Sequence, residues 1–296
     1  MRNILRILWL VLSAPFRFVF WAIKSISSWI RHLFEEIREL FNEEVEDEPL
    51  PETFSKAMQN PMGLMEHIDA LRKHLLRAVI FLIITTSLSF AVTPKIVDFL
   101  ANPIGGITAL RAIDVTEPIG VYMRVALLSG FAVALPYIAF ELWLFAAPGL
   151  KKRSRIFILA AIPIATILFF AGMAFAYFVM IPVGVPFLIN ILGMPAELRP
   201  SSYVQFVTSV MFWIGATFEF PLLIYVLAMV GLVKAKSLQN QWRLAIVIIA
   251  VIAAAITPTV DPVNMSIVMG PMIILYFLSI GLAYLAQRGQ EPKQTT

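Results

Sequence analysis

In the stretch GATFEFPLLIY (215–225), Glu219 stands inside an apolar run, between Phe218 and Phe220, with Pro221 close behind. An ionised carboxylate at mid-bilayer costs about 2.5 kcal/mol or more, so an acid kept in such a run faces protein, a watery cavity or a partner. Pro221 removes one amide and frees the carbonyl of Thr217, which kinks a helix and adds a polar site nearby. A lone acid of this kind suits three roles: an anchor for another chain's helix, a tie within its own bundle, or a proton relay. A relay wants a second ionisable group at similar depth. The candidates Glu141 and Arg124 both fall nearer the ends of their span. Covalent chemistry finds no constellation. The chain has no cysteine, and His32, His67 and His74 form no H-x-x-x-H or H-E-x-x-H pair. With no glycine-rich phosphate loop either, the expectation is no catalytic residue, no metal, no cofactor and no nucleic-acid partner.

The surrounding composition explains the setting. Of 296 residues, 59% are hydrophobic and only 14% charged, with a mean hydropathy of +0.83. A soluble domain carries roughly 25% charged residues. Six stretches are apolar enough to cross a bilayer: approximately 77–93, 120–145, 156–180, 204–231, 243–257 and 265–286. Arg72, Lys73, Arg77, Lys151, Lys152, Arg153, Arg155, Lys234, Lys236, Arg243, Arg288 and Lys293 fall on one side. The other side has Lys95, Arg111 and Arg199. The positive-inside rule then puts both ends in the cytoplasm. The expected fold is an all-α integral membrane protein with six transmembrane helices, N-in/C-in.

Three features depart from a plain bundle. The outer loops 93–118 and 181–202 mix apolar residues with proline and glycine, which predicts short surface helices capping the bundle. The fifth segment has only thirteen apolar residues, LAIVIIAVIAAAI, spanning roughly 20 Å. Either its helix continues through polar residues, or the bilayer thins there, or neighbouring helices simply bury a short one. Residues 1–60 carry an apolar stripe at helical spacing and then an acidic tract, NEEVEDEPLPET. That predicts an extra cytoplasmic N-terminal amphipathic helix on the membrane surface, followed by a linker. The expected organisation is therefore 1–60 extension, 61–290 membrane domain and 291–296 cytoplasmic tail.

Five stretches, in order, resemble the TatC family, the multi-spanning receptors of the twin-arginine protein translocase. HIDALRKHLL (67–76) resembles H-L-x-E-L-R-x-R-L, and PYIAFELWLFAAPGLKKRSR (136–155) resembles P-x-x-x-Y-Q-x-W-x-F-x-x-P-G-L. FFAGMAFAYFVMIP (169–182) is similar to F-x-x-G-x-x-F-x-Y-F-x-x-x-P, and FEFPLLI (218–224) to F-E-x-P. ITPTVDPVNMSIVMGPMIILY (256–276) is similar to T-P-P-D-P followed by P-x-x-x-L-Y. Within these, Pro148 and Gly149 are expected to end the second span ahead of a basic loop, Lys151 to Arg155, that meets phospholipid headgroups. Thr257 and Pro258 should stop the fifth span, and Asp261 should cap the sixth.

The resemblance implies a prokaryotic plasma-membrane subunit that binds twin-arginine signal peptides of folded substrates. It also implies single-span partners, TatA-like and TatB-like, and a homo-oligomer within a larger complex in the lipid bilayer. Glu219, with Thr217, would then face a concave groove and meet a partner's helix. Export would draw on the proton-motive force. Yet Ala70 and Ser154 occupy the positions where the family pattern has its arginine-binding glutamates, and Phe277 replaces the glutamate usual after L-Y. Glu66, Asp69 and Glu141, beside Arg72, are the candidates for a displaced acidic patch that pairs with the signal arginines. A divergent paralogue with weakened signal binding is the alternative, and a proton-coupled secondary transporter is another.

Overall fold

The computed structural model describes residues 61–150, 152–190, 198–257 and 262–288. The sequence expectations for 1–60 and 291–296, and for Pro258 and Asp261, lie outside the described residues. Within them the chain is helical, and an isolated bridge between Leu110 and Leu198 is the single strand-like pairing.

Helix α1 (Pro61–Ser89) runs into a short turn and then α2 (Thr93–Ala101), which has proline in its first turn. The two are bent by 73°. Thr93, Val97, Leu100 and Ala101 form the buried stripe of α2, at the i, i+4, i+7, i+8 spacing of one helix face. So the 93–118 segment does contain a short helix, held against the bundle by that stripe. Gly105 and Gly106 follow at φ +92° and +97°, the left-handed turn that brings the chain back.

Helix α3 (Glu117–Ala146) is about 45 Å long and ends in a 3-10 turn over Ala147–Gly149, where Pro148 and Gly149 were expected to stop it. Helix α4 (Lys152–Phe175) passes through a π turn, Ala176–Met180, into α5 (Ile181–Asn190). Pro182 has no amide hydrogen to give the turn before it. The Ile181 N–H reaches back five residues to the Ala176 carbonyl, and the ladder re-registers there.

The next span is split. Helix α6 (Pro200–Phe218) stops and α7 (Phe220–Met229) begins on either side of Glu219. Pro221 cannot donate to Thr217, and the Glu219 N–H makes a tight i→i−3 bond to Ala216 at 3.2 Å. Then come α8 (Ala235–Asn240), α9 (Trp242–Ile256) and α10 (Pro262–Arg288). Gln241 separates α8 from α9, and Thr257 closes α9, its hydroxyl and amide both bonded to the Ala253 carbonyl. The helix therefore does not continue through flanking polar residues. It stays at 15 residues, about 22 Å.

Among the described residues, four units are long and apolar enough to cross a membrane: Glu117–Gly149, Ser154–Phe187, Pro200–Met229 and Met265–Gln287. The bent pair α1–α2 makes a fifth when counted as one span. The chain is thus a multi-pass membrane protein. Helix α3 is central, packing on α1, α4 and α6, while α7 and α9 pack on α10.

Small residues set two of these crossings. A Cβ on Gly130 of α3 would sit 2.5 Å from the Thr86 Cα of α1. A Cβ on Gly172 of α4 would sit 2.8 Å from the Gly215 Cα of α6. Lipid supplies no hydrophobic drive between helices, so such contacts carry the association. The end of the bundle where α2 lies is tied by side chains. Tyr177 donates to the Phe99 carbonyl (2.6 Å) and Tyr203 to the Leu100 carbonyl (2.7 Å), while Arg199 pairs with the buried Glu117.

Overpacking a tight crossing costs about 1–3 kcal/mol. Gly130→Val should therefore lower the thermal midpoint of the detergent-purified protein. Gly281→Ala, where no atom lies within 4 Å of the new Cβ, should leave it unchanged.

Candidate functional site

Glu219 is half-buried at the joint of α6 and α7. Its Oε1 is fully buried and has no hydrogen-bond partner. The backbone of Phe169 on α4 lies beside the carboxylate. One turn back on α6, Gly215 meets the Phe169 ring and approaches Gly172. The close α4–α6 crossing therefore presses the acid toward α4 without giving both its oxygens a partner. A buried acceptor left unmatched costs about 1–3 kcal/mol, more when charged.

Thr217 belongs to a different face. Its hydroxyl donates to the Trp213 carbonyl at 2.8 Å. It lines an apolar groove of about 410 Å³ with Trp213, Phe220, Leu244, Ile248 and Tyr276. The groove lies between the broken α6–α7 span and the pair α9–α10. Glu219 is two residues on, about 200° further round a helix. The structure therefore does not bring Thr217 and Glu219 to one site: the hydroxyl belongs to the groove, the acid to the α4 side.

The second cluster joins α1 to α3. Glu141 is 1% exposed. His74 Nδ1 lies 2.7 Å from its Oε2, the Tyr137 hydroxyl donates to Oε1, and Arg77 Nη1 stands 3.9 Å from Oε2. Both carboxylate oxygens are therefore engaged inside the chain. Tyr137 and Glu141 are one turn apart on α3, a spacing visible in the sequence. His74 lies 67 residues away, and no sequence signal pairs it with Glu141. Asp69 and Arg72 are exposed on α1, and Glu66 precedes them on the same helix. Ala70 and Ser154 are half-buried. The structure separates the expected acidic patch into exposed Asp69 and interior Glu141.

The basic loop divides in the same way. Arg155 was expected among the headgroup contacts, but it is 1% exposed. Its Nε donates to the Leu150 carbonyl at 2.9 Å and Nη2 to Pro148 at 3.3 Å, while Trp143 Nε1 donates to the Arg155 carbonyl at 3.0 Å. The guanidinium thus closes the carbonyl end of α3, a favourable place for a cation. It holds the Pro148–Gly149 turn in place.

Comparison with known proteins agrees with this architecture. Residues 66–271 match the family model described as Sec-independent protein translocase protein (TatC). A TatC protein of Koribacter versatilis is 34% identical over 235 residues, covering 76% of this chain and 86% of the relative. The Carboxydothermus hydrogenoformans TatC is 33% identical, with 75% and 93% covered. The TatCy protein of Bacillus subtilis is 32% identical, with 77% and 91% covered. A crystal structure of the twin-arginine translocase receptor TatC superposes with a TM-score of 0.65 at 30% identity, covering 75% of this chain and all of that one. Motif order, helical architecture and these matches agree: the chain belongs to the TatC family of Sec-independent protein translocase proteins.

Proposed function

We propose that this chain is the receptor subunit of a twin-arginine translocase in a prokaryotic plasma membrane. It would cross the membrane six times, with both ends in the cytoplasm and α9 as a short fifth span. In this reading it binds the signal peptides of folded substrates and organises TatA-like and TatB-like single-span partners, as a homo-oligomer within a larger complex. Its work is recognition and transport, without covalent chemistry. The observation that carries the reading is the unmatched Oε1 of Glu219. A carboxylate half-buried at a helix break, with an acceptor unfilled by its own bundle, is suited to a polar group arriving from another chain. Thr217 and the apolar groove give an incoming helix a separate surface on the other side of the same break.

For the signal arginines we assign Asp69 and Glu66 as acceptors. Glu141 stands behind them as the residue that fixes α1 on α3, because its oxygens already have partners. Arginine pairs favour exposed carboxylates that can accept two parallel bonds. The burial of Glu141 and the absence of glutamate at positions 70 and 154 favour one second reading, a paralogue with weakened signal binding.

Three outcomes follow. Replacing Glu219 with Ala should cut export of a folded reporter about tenfold or more, the loss of one charge-assisted bond, at unchanged protein level; undiminished export would remove the central support. A photo-crosslinkable twin-arginine peptide should label position 69 or 66 and not 141, and labelling at none of the three would select the weakened paralogue. His74→Leu, which leaves one oxygen of the buried Glu141 without its imidazole partner, should destabilise the protein by about 1–3 kcal/mol, read as a lower melting midpoint. Glu141→Gln, which keeps the side chain's shape and hydrogen-bonding capacity, should be milder.

A further inference from the structure

Where α8, the start of α9 and the end of α10 meet, there is an open cleft of about 970 Å³. It is separate from the Thr217 groove and from Glu219. Lys236, Gln239, Asn240 and Trp242 line one side, and Phe277, Ile280 and Tyr284 of α10 the other. Lys236 is the one charged residue in this lining. Arg243 lies beside it, its guanidinium 5.5 Å from the centre of the Trp242 ring. Residues 220–260 contain no aspartate or glutamate, so two exposed cations share this corner with no acid in that whole stretch. The Tyr284 hydroxyl donates to Gln239 Oε1 at 2.6 Å, which fixes the two walls across the cleft and leaves the Gln239 amide N–H groups to donate.

The other half of the cleft has the opposite chemistry. Phe277, Ile280 and Tyr284 recur at i, i+3 and i+7, one face of α10. That strip runs from the polar end of the helix into its apolar interior, and Phe277 is half-exposed. Cationic and amide donors at the water-facing end, Trp and Tyr at the boundary and an apolar strip below match a ligand with an anionic head and a hydrocarbon tail.

We propose that this cleft is a binding site for one anionic phospholipid. Its phosphate sits against Lys236 and the Gln239 amide, and an acyl chain lies along Tyr284, Ile280 and Phe277. The site adds a lipid ligand to the translocase reading and needs only that the chain spans a membrane.

Native mass spectrometry of the full-length, detergent-purified protein tests it with three probes: phosphatidylglycerol, phosphatidylcholine and glycerol phosphate. Phosphatidylglycerol should be retained, phosphatidylcholine much less, and glycerol phosphate, which has the head without chains, not at all. Lys236→Gln should weaken phosphatidylglycerol retention about fivefold, the worth of one basic residue at a membrane surface. Lys95→Gln, the same loss of charge at an exposed site elsewhere, should leave retention unchanged. Phe277→Glu, which puts a carboxylate on the acyl strip without removing a buried side chain, should abolish retention. Equal retention of the two lipids, equal losses in the two lysine variants, or glycerol phosphate bound as well as lipid would each overturn the proposal.

Discussion

Hydrocarbon gives a peptide group nothing to bond to, so each carbonyl in the bundle must find its donor within the protein. Proline is where that requirement bites, because each one inside a span deletes a donor. At Pro182 the ladder answers by lengthening to a π turn. At Pro221 it answers by tightening, and the span divides into α6 and α7. The second solution puts Glu219 at the joint, where the helix has already given up regular bonding. A carboxylate costs less there than in an unbroken helix, because a kink admits side chains and water. The break thus makes the acid tolerable, and the acid makes the break specific.

The same need for internal partners explains why the polar side chains are so unevenly placed. Glu141 and Arg155 are as buried as any core residue, yet each serves its own chain. Glu141 takes bonds from His74 and Tyr137, and Arg155 gives bonds to the loop carbonyls that end α3. Removing one partner leaves a buried polar atom unmatched and costs about 1–3 kcal/mol. These clusters therefore lock α1 and the α3–α4 turn. The proposed recognition rests instead on Glu219, with its unmatched oxygen, and on Asp69, exposed on α1.

Much of this was legible in the sequence. All six apolar stretches became helices, and Pro148–Gly149, Pro221 and Thr257 stand at the ends or breaks expected of them. Covalent restriction is local, so it survives without knowledge of the fold. What the sequence hid was rotation about each helix axis. A soluble helix announces its inner face by alternating with polar residues. In α3 and α10 the apolar residues run all the way round, because lipid and protein are equally acceptable neighbours. That is why Glu141 looked like a surface acceptor, why Arg155 looked like a headgroup contact, and why Thr217 and Glu219 looked like one site. The Gly172–Gly215 approach, which orients Glu219 toward α4, depends on the same hidden angle.

Helix α9 carries the argument one step further. At about 22 Å it is some 8 Å short of a hydrocarbon layer of about 30 Å. Gln241 and Thr257 stop it at both ends, so the helix cannot grow to meet the membrane. Trp242 and Arg243 at its start are the residue types that hold a helix end at the interface. In the proposed six-span reading the shortfall falls on the lipid, at a fraction of a kcal/mol per Å, or on neighbouring helices that bury the short one. Lipid thinned beside α9 would border the groove that α9 shares with the broken α6–α7 span. A polar group on a helix entering that groove would cross less hydrocarbon than elsewhere around the bundle. On that reading the short helix would lower the barrier along the groove by shortening the path, while the broken helix gives Thr217 to the groove and Glu219 to the α4 side of the same break.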